Sequence, residues 1–425
     1  MTYAPFLPEC AAGSLEPRQL VVPHRDALQR GRVLTASVLA ISHEHRSALV
    51  QPAEGPAAVV RYDHILLTVG SVTRAATIPG LLDGAIGFRS VDDAAWLRDH
   101  VLTRLNVASQ AHDPNDRKAA LTFTVVGGGF AGTELIGELE DLTRAAVRQY
   151  REISVGDVRW VLIDQAGRLL PEVSAELAGH VADQLRRRGV YVLLERRLES
   201  LRDGVVRLDN GTEFRSDTVV WTAGVRPHPM LARTDLPRDR AGRVVVTPEL
   251  RVAGLPGAWA AGDCAAVPDL TGLPGELCAP SAQHAFRQAR VVADNIVRAV
   301  RGEPGQPYRH RYVGAVATLG RYKGVAEIHG VQLRGFLAWW LHRTYHLWAL
   351  PSGTRRLRIV AEWTVALLTR RDIVPLGTSR RAQPTLASTT ETTRVRVLRP
   401  APSVRHRVEH ANDRVGRGRL AGRRG

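Results

Sequence analysis

Lysine is nearly missing from this chain: Lys118 and Lys323 are the only two, and every other basic residue but histidine is arginine. Arginine content by itself therefore separates nothing, because genome bias produces it as readily as function does. Cysteine is scarce as well. Cys10, Cys264 and Cys278 form no C-x-x-C or comparable pair, so neither a metal site nor a redox disulfide is signalled, and small buried thiols in a reducing compartment are expected. Aromatics make up only 5% of the chain. No stretch of about 18 uncharged apolar residues occurs that could cross a bilayer as a helix. The first residues carry no basic segment followed by an apolar run, so no secretion signal is expected. No repeat at solenoid periods is visible. Acidic residues are outnumbered, giving a net charge of +16, but the excess is uneven. Residues 378–425 hold twelve Arg against three acidic residues, a net of +9. That segment, rich in Thr, Pro, Arg and Gly without periodicity, is expected to be a solvated disordered tail, with no nucleic-acid partner.

What remains is ample for a globular protein. The 425 residues, 44% hydrophobic, allow two or three domains. Residues 33–38 and 62–70 have strand patterns, and the polar run 112–117 reads as a linker. A new unit then begins: strand 121–126, a glycine loop, a helix over 133–150, strand 158–164, a helix over 175–188 and strand 190–194. This β-α-β-α-β order predicts a doubly wound α/β fold with a parallel sheet. Asp209-Asn210-Gly211 marks a hairpin, and 217–224 reads as a returning strand. Strand 258–263 ends in Gly-Asp, a helix follows over 282–300, and two amphipathic stretches run up to Arg371.

Gly127, Gly129 and Gly132 form G-x-G-x-x-G. Alone the motif is weak, but here it follows an apolar strand and opens a helix, the context of a dinucleotide loop. Gly127 permits the tight turn, Gly129 lets a pyrophosphate approach the backbone, and Gly132 allows close helix–strand packing. The helix N-terminus offers N–H groups and a positive dipole end to phosphates. Asp164 ends the second strand, where a carboxylate accepts from the adenosine ribose and favours NADH; an ordinary strand-end acid is the other reading. Glu134 is expected in the first helical turn, either complementing the dipole or approaching a nicotinamide.

Together, Thr68-Val69-Gly70, the loop 126–134, Trp221-Thr222-Ala223-Gly224-Val225, Ala261-Gly262-Asp263, Ala282-Gln283-His284-Ala285 and residues 317–321 resemble the two-dinucleotide flavoproteins. The likeness is greatest to the type II NADH dehydrogenases, which are NADH:quinone oxidoreductases, and runs over about residues 3–377. It implies FAD and NADH as cofactors. Thr68, Gly70, Gly224, Gly262 and Asp263 join the cofactor-binding set, with Asp263 on the flavin's ribityl or pyrophosphate region. Glu134 and Gln283 become the catalytic pair, Gln283 lying beside the isoalloxazine near a quinone. The implied fold is two Rossmann-like dinucleotide-binding domains plus a C-terminal region with amphipathic helices. The parts fall at 1–118 and 236–312 for the flavin domain, 119–235 for the NADH domain, 313–377 for the C-terminal region and 378–425 for the tail.

Two departures stand out. Where the family often has a second Gln four positions after Gln283, this chain has Arg287, with Gln288 next. The flavin domain also lacks its initial βα glycine-loop unit, and residues 1–9 resemble a stretch just past it. The expectation is a start chosen at an internal Met, with a truncated relative as the alternative.

The C-terminal stretches point to a membrane surface. Leu337, Leu341, Tyr345 and Trp348 fall near one face. Leu357, Val360, Ala361, Thr364 and Leu368 mark a second, flanked by Arg355, Arg356, Arg358, Arg370 and Arg371. Four of the eight Trp lie between 339 and 363. Such helices suit an interfacial contact with anionic lipid, peripheral on the cytoplasmic face; packing on the protein's own body or in a homodimer is the alternative. Lys323 reads as a flavin or quinone neighbour, or as a plain surface lysine. The rival functions are a soluble reductase for another acceptor and a flavin-less NADH-binding relic.

Overall fold

The structure, a computed structural model, describes residues 1–28, 30–310, 313–375, 377 and 385–386. At its centre is a five-stranded, all-parallel sheet. Its strand order is Ala85–Gly87, Thr218–Trp221, Thr122–Val126, Arg159–Ile163 and Val190–Leu193. The central strand reads Thr-Phe-Thr-Val-Val, all five residues buried, as expected for a parallel strand covered on both faces. The helix Phe130–Val147 packs against this sheet, burying Leu135, Ile136, Leu139 and Leu142. A separate antiparallel sheet, Leu198–Arg202, Val205–Leu208 and Glu213–Arg215, contains the Asp-Asn-Gly hairpin.

A second pair of parallel strands, Ile65–Leu67 and Ala258–Ala260, anchors the other part of the fold. Its core includes Leu67, Trp259, Cys264, Val292 and Tyr308. The antiparallel strands Ser71–Thr73 and Val225–Pro227 link the two parts of the α/β fold. Beyond them, a meander of Gly314–Thr318, Gly324–Ile328 and Val331–Arg334 leads into the helices Phe336–Ala349 and Gly353–Leu368. Among the described residues no helix is long and apolar enough to cross a membrane. All three cysteines are buried and free, as expected.

Several sequence expectations need correction. The strand expected at 33–38 runs instead over Ala36–Ser42, and the one expected at 62–70 keeps only Ile65–Leu67 as regular strand. The expected linker 112–117 is mostly the helix Pro114–Ala120. Asp113 caps it by accepting from the Asn115 N–H, and Pro114 occupies a first-turn position that needs no N–H donor. A 20-residue helix, Val91–Gln110, precedes it, and no sequence pattern announced it. It opens with a Ser90–Asp93 capping box, but its inward face mixes Leu97, Val101 and Leu105 with buried Arg98, Asp99 and His100, which blurs the apolar periodicity. The expected tail lies outside the described residues except for Thr385 and Leu386. Thr385 bridges Ile86, and Leu386 is buried.

His100 makes a testable pH dependence. It is buried, stacks on Trp96 and bonds Thr218 Oγ1 at 2.8 Å. Burial, helped by Arg104, lowers its pKa to about 3. The folded-state pKa thus lies below the unfolded one, so this contribution is full above about pH 6.5 and is lost as pH falls from there towards 3. His100→Gln should therefore show a shallower fall of Tm than the wild type between about pH 6 and 4, measured by calorimetry. Parallel curves would contradict the assignment.

Candidate active site

The glycine loop is built as its spacing requires. Gly127 has φ of +117°, a conformation that disfavours any side chain, and its N–H bonds the Ile163 carbonyl at 2.8 Å. A Cβ on Gly132 would overlap the Gly127 carbonyl oxygen and lie 2.7 Å from Thr222 Oγ1. Gly129 differs: a Cβ there would meet nothing within 4 Å, so the backbone faces open space. The helix begins at Phe130 with Gly129 as its N-cap and no side-chain cap. The first-turn N–H groups, which helix geometry leaves without intrahelical partners, thus meet no capping side chain.

Asp164 lies at the end of the second strand. Its carboxylate accepts from the Gly128 N–H and from the Ala166 N–H, the latter at 2.6 Å, so it shapes the loop directly. Thr222 Oγ1 donates towards the Val126 and Gly127 carbonyls, at 3.0 and 3.1 Å, tying the returning strand under the loop. Gly224, φ +77°, turns the chain into the linking strand Val225–Pro227.

On the other side of that strand pair sits a second glycine turn. Gly70 has φ of +64°, with open space around it, and Thr68 is exposed just before it. Ser71 donates its hydroxyl to Asp263 Oδ2 at 2.7 Å, and Arg89 reaches Ser71 Oγ at 3.2 Å. Gly262, φ +75°, donates its N–H to Gln288 Oε1 at 2.8 Å. A small cavity is lined there by Gly262, Asp263, His284 and Gln288, among others. Gln288 is buried and holds this turn. Its position five residues after Gln283 was the signal, noted in the sequence only as a departure from family spacing.

Gln283 donates from Nε2 to the Gly314 carbonyl at 2.9 Å, at the start of the strand Gly314–Thr318. At that strand's other end, Glu134 Oε1 accepts the Thr318 N–H at 3.0 Å. The two expected catalytic residues are therefore spaced along one strand, roughly 13 Å apart by strand rise. Glu134 is not in the first helical turn, which holds no acidic residue. The helix starts three residues earlier than expected because Gly129 already serves as N-cap, so dipole complementation is not the role of Glu134. It is instead buried against His342, whose Nε2 lies 3.1 Å from Glu134 Oε1. Lys323 is engaged too, its Nζ 2.9 Å from Asp141 Oδ1.

Around Glu134 lies a buried ionic cluster that sequence reading missed. Glu138 Oε1 accepts from Thr318 Oγ1 at 2.9 Å, and Glu138 Oε2 lies 3.4 Å from Arg371. Glu9 Oε2 accepts from Arg343 at 3.0 Å, and Arg343 stacks between Trp339 and Trp363. Burial, with Glu9 next, pushes the Glu138 carboxyl above the ordinary range, against the pull of Arg371. Burial also opposes charge on His342, but the carboxylates of Glu134, Glu9 and Glu138 prevail and raise its pKa.

A glycine loop open to a phosphate and a Gly-Asp turn on a second parallel strand pair define a nucleotide-dependent oxidoreductase with two dinucleotide-binding parts. The family model for pyridine nucleotide-disulphide oxidoreductases matches residues 2–289. The type II NADH:quinone oxidoreductase Ndh of Mycobacterium tuberculosis is 30% identical over 383 residues, covering 87% of this chain and 81% of that one. The demethylphylloquinone reductase NdbB of Synechocystis is 27% identical, covering 88% and 86%. The structure of NDH2 from Plasmodium falciparum in complex with NADH superposes with a TM-score of 0.79 at 17% identity, covering 88% of this chain and 92% of that one. The chain belongs to the pyridine nucleotide-disulphide oxidoreductase family and, within it, to the type II NADH:quinone oxidoreductases.

Proposed function

We propose that this chain oxidises NADH held at the Gly127–Gly132 loop and delivers the electrons, by way of FAD, to a quinone at a membrane surface. The observation that carries the reading is the pairing of two glycine turns, one at Gly129 and one at Gly262–Asp263, through the strands Ser71–Thr73 and Val225–Pro227. The enzyme is an NADH dehydrogenase and a flavoprotein. Gly129 and the first-turn N–H groups take the NADH pyrophosphate, and Asp164 meets its ribose from the strand end. Gly224 turns the chain beside this loop.

The residues present fit a flavin. Gly70 leaves backbone beside open space, Thr68 is exposed next to it, only Ala285 approaches Gly262, and Asp263 presents a carboxylate already oriented by Ser71. When bound, the flavin supplies the two-electron redox chemistry, and the protein supplies binding, orientation and exclusion of water. Gln283 sits beside it, its amide held by the Gly314 carbonyl. Glu134, a buried carboxylate at the Thr318 end of the same strand, would be the second residue to serve the reacting centre. A disulfide substrate is not favoured, since the three thiols are buried and unpaired. The exposed apolar side of the two C-terminal helices lies on anionic lipid at the cytoplasmic face, where the quinone is.

The test is direct. Purified chain should carry a flavin band near ~450 nm and couple NADH oxidation to reduction of a short-chain quinone. Asp263→Ala should lose most of its flavin, by at least about tenfold, from removal of one charged acceptor worth roughly 1.5–3 kcal/mol. NADH binding without flavin or quinone turnover in the wild type would sink the reading.

A further inference from the structure

Oxidation of NADH by a quinone gives NAD+ and quinol and consumes one proton from solution. NADH supplies two electrons and one proton as hydride; the quinol's second proton has to be carried in. Glu134 is buried, so it needs a partner to load it. His342, on the helix Phe336–Ala349, is fully buried. Its Nε2 lies 3.1 Å from Glu134 Oε1, and its Nδ1 lies 3.9 Å from Glu9 Oε1 on the helix Leu7–Ala11. Neither ring nitrogen, nor Glu9 Oε1, has a well-formed hydrogen bond. Each ring nitrogen thus faces a carboxylate oxygen, Glu134 at close range and Glu9 further off.

We propose that His342 is the positioning residue that hands Glu134 the solvent proton consumed in quinone reduction, with Glu9 as its fixed counter-charge. This rests on the NADH:quinone reading above. In the step, the Nε2–H bond breaks and a proton passes to Glu134 Oε1, leaving neutral imidazole and a carboxylic acid. No electrons move. Reprotonation comes along the same helix. His346 lies one turn on, its ring centroid 4.5 Å from that of His342. Its Nδ1 is 3.0 Å from the hydroxyl of Tyr3, which is partly exposed. Burial, then the charge on His342, holds His346 well below its ordinary pKa, so it is neutral and free to pass a proton on. The other charged groups facing the imidazole are Glu138, paired with Arg371, and Arg343, paired with Glu9. They set the local field and are not part of the transfer.

The decisive measurement compares two acceptors in flavin-loaded full-length protein. Ferricyanide takes electrons and no proton; a short-chain quinone takes both. His342→Gln should keep the NADH:ferricyanide rate within about twofold while the NADH:quinone rate falls about tenfold or more, losing its decline at alkaline pH. An unchanged quinone-to-ferricyanide ratio across pH overturns the proposal. If His342→Gln fails to fold, Glu9→Gln removes a carboxylate that raises the imidazole, so the alkaline limb should move down. A limb that stays put overturns it. A readout independent of turnover is the nitrogen-15 titration of His342, assigned by difference: its midpoint should drop in Glu134→Gln. No drop also overturns the proposal. Ferricyanide but no quinone activity in the wild type would instead count against the parent reading, while the nitrogen-15 titration still decides whether His342 and Glu134 exchange charge.

Discussion

Gly129→Asp should abolish NADH binding and leave the fold intact. The backbone at this position has φ of −71°, which any residue adopts, and a Cβ would touch nothing within 4 Å. Folding therefore loses little, and Tm should stay within about 2 °C of the wild type. Binding loses much. A carboxylate at the helix N-cap would accept from the same first-turn N–H groups that a pyrophosphate needs, and would repel its charge. Losing two charge-assisted hydrogen bonds at about 1.5–3 kcal/mol each predicts at least ~100-fold weaker binding. Gly132→Ala is the contrast. Its methyl would overlap the Gly127 carbonyl and crowd Thr222 Oγ1, so it should cost about 1–3 kcal/mol of stability before any ligand is added. Fluorescence titration with NADH, alongside thermal melts, separates the two. Gly129→Asp binding NADH within threefold of wild type would remove the loop from the NADH site.

That contrast marks what the sequence makes legible. A glycine motif between an apolar strand and a helix encodes backbone geometry locally, so Gly127, Gly129 and Gly132 occupy the turn, the open face and the close contact as their spacing demands. The Gly262–Asp263 turn is legible for the same reason. What hid was everything set by side chains meeting across the chain. Glu9, Glu134 and His342 are more than a hundred residues apart and come together only because the helices of Glu134 and His342 pack on one strand and the helix of Glu9 packs on that of Glu134. Gln288 was visible as a residue but not as the acceptor for Gly262. The helix Val91–Gln110 hid because Arg98, Asp99 and His100 are buried on it, Arg98 and His100 bonded to tertiary partners and Asp99 beside Arg98, which no periodicity reveals. One helix start slipped by three residues, where Gly129 serves as the cap, which moved Glu134 out of the first turn and into the buried cluster.

Replacing Trp340, Trp348, Leu357 and Leu368 together with glutamate should release the protein from anionic vesicles. These side chains are 55%, 66%, 71% and 85% exposed, and Leu337 and Phe336 lie exposed near them. The same two helices bury Ala338, Trp339, His342 and Arg343 on one side and Ile359 on the other, so the substitutions spare the core. Of the faces read from sequence, Leu341 is only half exposed and Arg371 is turned inward to Ala12, Ser14 and Glu138. Arg358 and Arg370 stay exposed and are the arginines available to lipid headgroups. Burying each apolar side chain to part depth at about 1.5 kcal/mol gives ~6 kcal/mol for four, or on the order of 10⁴ in partition, before added charge repulsion. High salt should weaken wild-type binding without abolishing it, because the arginine contribution is screened and the apolar one is not. Ferricyanide turnover should be unchanged in the variant, since none of the four residues touches the site. Sedimentation with vesicles of anionic and neutral lipid reads the partition, and light scattering reads the oligomeric state. A variant that pellets like the wild type would show that this face is not the lipid contact. Wild-type dimers that become monomers, with no pelleting in either protein, would assign the face to a second copy of the chain.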